Sequence, residues 1–411
     1  MQPMLKTFRR HRLMPTLVVL QIALATAILC NALSLLQQRL APLLVPDGIA
    51  ASQLILVSQI VTQTAPWTTA QVREGETALR SIPGVTAVTA GLNLPMLTSI
   101  RLVGNVSNSS GRHKVNAAAM VGNNLVPTLG LHIIAGRDFK TSDLAEGTQQ
   151  NSLGLTSSAP VILTRALAQH LFPHRGPVGQ MVRVGHNHPV DHVVVGVVKH
   201  LERSDISGKT QADAGNVMLL PVRVSGFPFI QYAVRNAPGA QASVLKAIPA
   251  AIDRAFPAQE RNSGIKPRVE TYEHARDVVF KSRRAAVWLL SSVTLVVLIV
   301  TLIGIMGLTG FWVQQRTRQI GVRRALGARR VDILRYFQTE NFLLATAGIA
   351  LGCAAAIGIN VWLMAHYAVP RLPIVYLPIG AVALWLLGQL AVLGPALRAA
   401  RVLPTTAMRA A

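Results

Sequence analysis

The sequence predicts a membrane protein, with four transmembrane α-helices plus a mixed α/β extracytoplasmic domain inserted between helices 1 and 2. Three observations lead there. The 411-residue chain is 51% apolar and only 14% charged, with a mean hydropathy of +0.40, whereas soluble domains carry roughly a quarter charged residues. Four stretches, 13–38, 285–315, 341–369 and 372–397, contain no Asp, Glu, Lys or Arg, and each can cross about 30 Å of hydrocarbon at about 1.5 Å per residue. Of the surplus of forty Lys and Arg over seventeen Asp and Glu, a net +23, more than half lies in short segments beside these stretches, where it acts as a topology signal.

Residues 1–12 carry Lys6, Arg9, Arg10 and Arg12 and read as a basic cytoplasmic N-terminus. Helix 1 follows at 13–38. Its apolar run is too long for a secretory signal, and Leu29 rather than a small residue precedes Cys30, so it reads as an uncleaved anchor. Helix 2 is placed at 285–315, with Trp288 and Trp312 near its ends at headgroup level. An inner loop at 316–338 leads to helix 3 at 339–367, and a short outer loop at 368–376 leads to helix 4 at 377–397. The latter begins near Pro378 because Pro373 and Pro378 break the run. A tail at 398–411 closes the chain. An inside N-terminus keeps the clusters at 1–12, 316–338 and 398–411 on the cytoplasmic side and leaves only Arg371 in the short outer loop, as the positive-inside rule requires.

The segment 39–284, with 25 Lys/Arg and 15 Asp/Glu, is long enough to be exempt from that rule and is placed outside. It reads as α/β. "QVREGETALRSI" has a helical composition and ends at Pro83-Gly84, and "VTAVTAGLN" alternates like a strand. "APVILTRALAQHLFP" runs from strand to helix, and "HVVVGVVKHL" is a β-branched strand. "VMLLPV" and "FIQYAVR" add strands, and "ASVLKAIPAAIDRAF" is a helix interrupted by Pro249. Residues 140–158 and 202–216 are polar and Gly/Ser-rich and read as loops. "NVSNSSGRHK" (105–114) reads as a short polar connector rather than a glycosylation site.

Motifs that carry chemistry are scarce. The sequence shows no G-x-x-x-x-G-K-[ST], G-x-S-x-G, H-E-x-x-H or C-x-x-C, which argues against an embedded ATPase, hydrolase, zincin or redox centre. His186, His188 and His192 in "GHNHPVDH" have a metal-like spacing, but Gly185 and Pro189 spell a turn, so a solvated loop is the stronger reading and the trio only a weak metal candidate. Cys30 and Cys353 lie in apolar runs as small hydrophobes. Within the spans, Gln21, Asn31, Asn360 and Gln389 are expected to bond between helices, with Glu340 at the inner edge of helix 3 facing the arginine-rich loop. Gly304 and Gly307, and Gly348 and Gly352, are spaced for close helix packing, within the chain or between copies. Nucleic-acid binding is not expected, because the basic clusters abut spans and lack interleaved aromatics.

The inner loop "RTRQIGVRRALGARRVDIL" (316–334) holds six arginines and one acid. Its apolar Ile320, Val322 and Leu326, with Gly321 and Gly327 as punctuation, fit a short amphipathic helix able to dock on a protein. Continued through "RYFQTENFLLATAGIALG", it resembles the signature of the MacB/FtsX-like ABC transporter permeases. The tail "GPALRAARVLPTTAMRA" resembles that family too, and "LRSIPGV", "LGLHIIAGRDF", "PVGQMVRVG" and "VVVGVVKH" add weaker echoes in the outer segment.

The resemblance implies a non-catalytic four-span permease subunit of a bacterial inner membrane, whose 39–284 segment is a MacB-like periplasmic core domain. It implies an ATPase-coupling helix formed by Arg316, Arg318, Gln319, Ile320, Gly321, Arg323, Arg324, Ala325, Leu326, Gly327 and Ala328, with Glu340 opening the third span. Gln319 departs from the family's usual Glu before Ile-Gly. The implied partners are a separate ABC-type ATP-binding subunit that uses ATP and Mg²⁺, a second permease subunit as homodimer or heterodimer, membrane lipid and a periplasmic adaptor. No cofactor is expected on the chain itself. The implied work is export or extraction of a peptide, a lipid or lipoprotein, or a small toxic compound. A membrane-anchored sensor without ATP-driven transport is the alternative, and an anchored enzyme a weaker one.

Overall fold

The computed structural model describes residues 13–44, 47–97, 102–148, 158–185, 189–203, 213–315, 326, 329–367 and 371–400. The chain divides into two compact units, one of Met1–Leu43 with Ser282–Ala411, the other of Leu44–Lys281.

The first unit is a helical bundle. It contains α1 (Leu13–Leu44), most of α6 (Tyr272–Gln315), α7 (Arg330–Tyr367) and α8 (Tyr376–Ala400), and all four are long and apolar enough to cross a membrane. Val18, Ile22, Ala25 and Leu29 recur at helical spacing on α1 and are buried against Ile305, Ile349, Leu384 and Val392. The opposite faces expose large apolar side chains, Leu20 and Leu24 on α1, Leu289 and Val300 on α6, and Leu386 and Leu390 on α8. A surface of that kind suits hydrocarbon rather than water.

Helix ends differ from the limits of the apolar runs. α1 continues to Leu44, α6 starts at Tyr272 and α7 at Arg330. The cause is that hydropathy reports the solvent a side chain prefers, whereas a helix requires only its own backbone hydrogen bonds. The polar turns at 272–284 and 330–338 satisfy these as well as the apolar ones do. Pro378 falls in the first turn of α8, where a missing N–H costs little.

The second unit is α/β. In chain order it holds β1 (Leu54–Val61), α2 (Thr69–Arg80), β2 (Val85–Leu92), β3 (Val103–Asn108), β4 (Lys114–Gly122), α3 (Leu125–Leu129), β5 (Ile133–Gly136), β6 (Ala145–Gly147), β7 (Val161–Thr164), α4 (Arg165–Leu171), β8 (Met181–Val184), β9 (Val190–Val198), β10 (Val217–Val224), β11 (Phe229–Asn236), α5 (Gln241–Ala255) and β12 (Arg268–Thr271). The sheet has two parts. β12, β1, β11 and β2 form an antiparallel ribbon. β4, β3, β8, β9, β7 and β10 follow one another and return, through the parallel β10–β4 pair, to where they began, so these six strands make a closed ring joined to the ribbon by β2–β4.

α2 and α5 supply buried apolar faces to the core shared with the ribbon. α2 opens with a capping box in which Thr68 Oγ1 accepts from Gln71 N–H at 3.3 Å and Gln71 Oε1 accepts from Thr68 N–H at 3.0 Å. It ends before Gly84, whose φ of +91° turns the chain into β2. Gly75 lies against Tyr232 and Phe256, and this close approach lets the Tyr232 hydroxyl donate to Val72 O at 2.9 Å. Trp67 is buried edge-on against Phe256, 4.9 Å between centroids, and donates Nε1–H to Ile60 O at 3.1 Å.

Two readings of local structure are corrected. Residues 105–108 belong to β3 and Lys114 opens β4, so the polar connector shrinks to the hairpin turn between them. α5 runs unbroken through Pro249. That proline lies on the exposed side of the helix, where water can take up the carbonyl its ring leaves unpaired.

Candidate functional site

Close approach between the bundle helices begins with glycine. A Cβ on Gly348 would collide with Ile22 and Val19 O, one on Gly352 with Thr26 and Ala23 O, and one on Gly304 with Gln21. α1 therefore lies in a groove cut into α7 and against α6. Among the described residues Gly307 has nothing within 4 Å of that position. The polar side chains of the spans bond across these contacts. Asn31 Nδ2 donates to Ala27 O at 3.0 Å and Ala356 O at 3.2 Å, and Asn360 Oδ1 accepts from Leu372 N–H at 2.9 Å. Gln21 Nε2 reaches Val300 O and Thr301 O at 3.4 Å, and Gln389 Nε2 reaches Gln338 O at 3.4 Å. In a medium without water such bonds replace solvation that nothing else supplies.

Of the expected coupling residues, Leu326 and Glu340 lie among the described residues. Arg316, Arg318, Gln319, Ile320, Gly321, Arg323, Arg324, Ala325, Gly327 and Ala328 lie outside them. Leu326 is at a turn and 83% exposed. α7 then starts with a side-chain cap, Arg329 N–H donating to Asp332 Oδ2 at 2.9 Å, and the carboxylate sits favourably at the helix N-terminus. Ile333 and Phe337 turn inward, Phe337 edge-on to Tyr336 at 5.7 Å. Glu340 comes next on the inward face and is buried, beside Asn341, at a cavity of ≈ 20 Å³ that Pro15, Val18, Leu308 and Phe337 also line. It sits in the bundle interior rather than at a rim.

The outer unit holds a polar knot that sequence reasoning missed. Asp47, three residues after α1, lies 2.9 Å from Arg276 Nε in an ion pair without hydrogen-bond alignment, and the Tyr272 hydroxyl donates to the same carboxylate. Arg276 also stacks over Phe280, 5.1 Å from the ring centre. Burial pushes the Asp47 carboxyl above its ordinary range, with Arg276 pulling it back, while burial lowers the nearby His200 imidazole against the pull of Asp47. Asp47 follows α1, and Tyr272 and Arg276 open α6, so one cluster ties together the two points where the chain enters and leaves the outer unit. No motif announces it, because its members lie far apart in sequence.

His186 and His188 lie outside the described residues. His192 does not belong to a solvated loop. It is fully buried on β9, its Nδ1 2.9 Å from Ala159 O, and burial holds its pKa below the ordinary imidazole value. The error came from Pro189, which directly precedes Val190, the first residue of β9. Among the described residues no group of three or more metal-ligating side chains converges.

Residues 18–251, more than half of the chain, match the MacB-like periplasmic core domain, and residues 291–404 match the FtsX-like permease C-terminal region. The chain belongs to the MacB/FtsX-like ABC transporter permeases. It is similar to the macrolide export ATP-binding/permease protein MacB of Rhodospirillum rubrum, 30% identical over 65% of this chain and 40% of that protein. The protein of the same name from Nitrobacter winogradskyi is 32% identical over 65% of this chain and 41% of its own length. The chain thus spans about two fifths of the length of these curated relatives. Among solved structures, the periplasmic region of MacB from Actinobacillus actinomycetemcomitans aligns at 13% identity, covering 56% of this chain and 94% of that one, with a TM-score of 0.36.

As a MacB/FtsX-like permease, the chain is a multi-pass protein of the inner membrane with an extracellular domain. The arginine-rich segment 316–334 runs into the start of α7, and Leu326 and residues 329–334 are the part of it that the structure describes.

Proposed function

We propose that this MacB/FtsX-like permease is the transmembrane subunit of an ABC transporter, driven by an ABC-type ATP-binding subunit seated on the 316–338 segment at the cytoplasmic face. The observation that carries the reading is Leu326, a large apolar side chain exposed at a turn between two candidate spans, inside the family's arginine-rich signature. Such a residue meets water unless a protein covers it. In this proposal both termini are cytoplasmic, the outer domain is inserted between the first two spans, and a second permease subunit, the same or different, completes the transporter. A periplasmic adaptor can join at the outer domain. The partner binds and hydrolyses ATP with Mg²⁺; this chain's role is mechanical.

ATP binding draws two ATP-binding subunits together, the 316–338 segments move with them, and α6 and α7, which flank that segment, carry the displacement. α6 is a single 44-residue helix, and Tyr272 and Arg276 at its start are fastened to Asp47. A push along α6 thereby reaches the outer domain at the same point as a push along α1. The work is export or extraction of a peptide, a lipid or lipoprotein, or a small toxic compound. Leu326→Asp places a charge in the partner contact and is expected to abolish stimulation of the partner's ATP hydrolysis while leaving membrane insertion intact. Unchanged stimulation, or labelling of cysteines at positions 323 and 324 from the periplasmic side, would overturn the reading.

A further inference from the structure

The helical bundle encloses a cavity of ≈ 20 Å³ between α1, α6 and α7. About 10–15 Å³ is enough to admit one water, and such a space is wet where roughly two to four polar groups line it and dry where the lining is apolar. Here Thr309 of α6 and Glu340 and Asn341 of α7 form the polar lining, and Val18, Phe337 and Leu344 form the apolar wall.

The hydroxyl of Thr309 behaves unlike its neighbours. Thr26, Thr294, Thr301 and Thr346 each donate to the carbonyl four residues earlier, at 2.7 Å, as threonines in spanning helices commonly do. Thr309 makes no hydrogen bond among the described residues, which leaves its hydroxyl for a guest. Asn341 is 6% exposed, and its Nδ2 has no hydrogen-bond partner among the described residues. A donor enclosed in that way costs free energy until an acceptor meets it. Glu340 is 3% exposed, and a carboxylate offers about four acceptor positions, so it can receive a guest's proton beside any other donor.

We propose that this cavity binds one water molecule, which accepts from Thr309 and Asn341 and donates to Glu340. The oxygen of water satisfies the two donors while its protons meet the carboxylate. A monovalent cation fits less well, because the Asn341 amide would present N–H to it rather than an oxygen. The water bridges α6 to α7, the two helices that flank the 316–338 segment, and a bridging water is nearly as good as a direct hydrogen bond. α7 can then shift against α6 without leaving a carboxylate bare in a medium where that is costly. The site lies wholly in the bundle and stands whether or not an ATP-binding subunit docks.

The test is X-ray radiolysis of the full chain in phosphatidylcholine nanodiscs, with oxidised side chains located by mass spectrometry. Hydroxyl radicals formed at a bound water react with whatever is adjacent. Phe337, 4% exposed, is therefore expected to be oxidised, and Leu386 and Leu390 on the hydrocarbon face are not. Thr309→Val keeps the shape and removes the hydroxyl, and should lower Phe337 oxidation about fivefold, the effect of one net hydrogen bond. Thr309→Ser should retain it. Val18→Ile inserts one methylene into the wall and should abolish it by occupying the space, which keeps the test available if Thr309→Val does not fold. Unoxidised Phe337 in the parent chain would overturn the proposal, as would equal oxidation in Thr309→Val or Val18→Ile. A Phe337 rate that changes when sodium is replaced by N-methylglucamine would also overturn it, assigning the cavity to a cation.

Discussion

In the bundle, buried Thr26 and half-buried Asn31 bond to helix backbone, and buried Asn360 accepts from Leu372 N–H just before α8. In the outer unit, buried Glu76 and His192 bond to backbone of strands or loops they pack against, Glu76 accepting from Ala90 N–H at 3.0 Å and His192 meeting Ala159. The first pattern suits a medium that offers no solvation, where an uncharged group is the cheaper one to enclose, and Glu340 is its exception among the described residues. The second relies on specific donor–acceptor pairs whose bonds gain strength once water is excluded. Helix contact in the bundle thus depends on backbone clearance, while strand and helix contact in the outer unit depends on particular acceptors.

The strongest way to break this comparison is to fill the bundle's clearance. Gly352→Leu places a branched side chain where a Cβ already meets Ala23 and Thr26, and should cost about 3 kcal/mol, the upper part of the usual overpacking range. Gly307→Leu, which enters open space in this chain, should leave the bundle intact. Resistance to denaturation by dodecyl sulfate in mixed micelles would separate the two. Equal losses would mean that the Gly348–Gly352 groove does not set the position of α1.

In the outer unit the matching test removes an acceptor. Glu76 also receives Asn123 Nδ2–H at 2.6 Å, so Glu76→Ala removes the acceptor of one buried and one half-buried donor and should cost about 2 kcal/mol. The readout is hydrogen exchange in peptides covering α2, β2 and residues 119–124, with the bundle peptides unchanged. Thr68→Ala, which deletes one half of the α2 capping box, should cost about 1 kcal/mol and show only at the start of that helix.

What the sequence discloses follows the same division. The four spans were legible because hydropathy integrates over some twenty positions, so one residue cannot mislead it. The fraction of α6 before position 285 was not, since Tyr272 to Arg284 are polar and only the backbone makes them part of the same helix. In the outer unit, individual strands such as Val193–Val198 were legible from β-branched runs. The ring was not, because its closure pairs β4 with β10 in parallel across nearly a hundred residues, and no local pattern encodes that partnership. The expected coupling residues were legible only as a family signature, and of the 316–338 segment Leu326 and residues 329–338 are described. Glu76, Asp47 and His192 were missed for a common reason: lone titratable residues in a polar sequence look solvated until the fold closes over them.

The smallest expected effect sharpens the comparison through pH. Burial is the main cause that lowers the pKa of His192, with the Ala159 backbone and Asp191 opposing it, and of His200, with Asp47 opposing it. The unfolded chain takes up protons at these imidazoles near the ordinary value of about 6.5, and the folded chain only at lower pH. Their contribution to stability is therefore complete above about pH 6.5 and is lost as pH falls toward the folded values. Asp47 runs the other way, its raised pKa favouring the folded state as pH falls toward the carboxylate range. Between pH 7.5 and 5.5 the histidine slope should dominate, appearing as faster hydrogen exchange around β9 and residues 199–203 with little change in α7 and α8. His192→Gln and His200→Gln together should flatten that slope while lowering stability at pH 7.5. A slope that persists in the double variant would assign the pH response to another group and leave the buried imidazoles neutral bystanders.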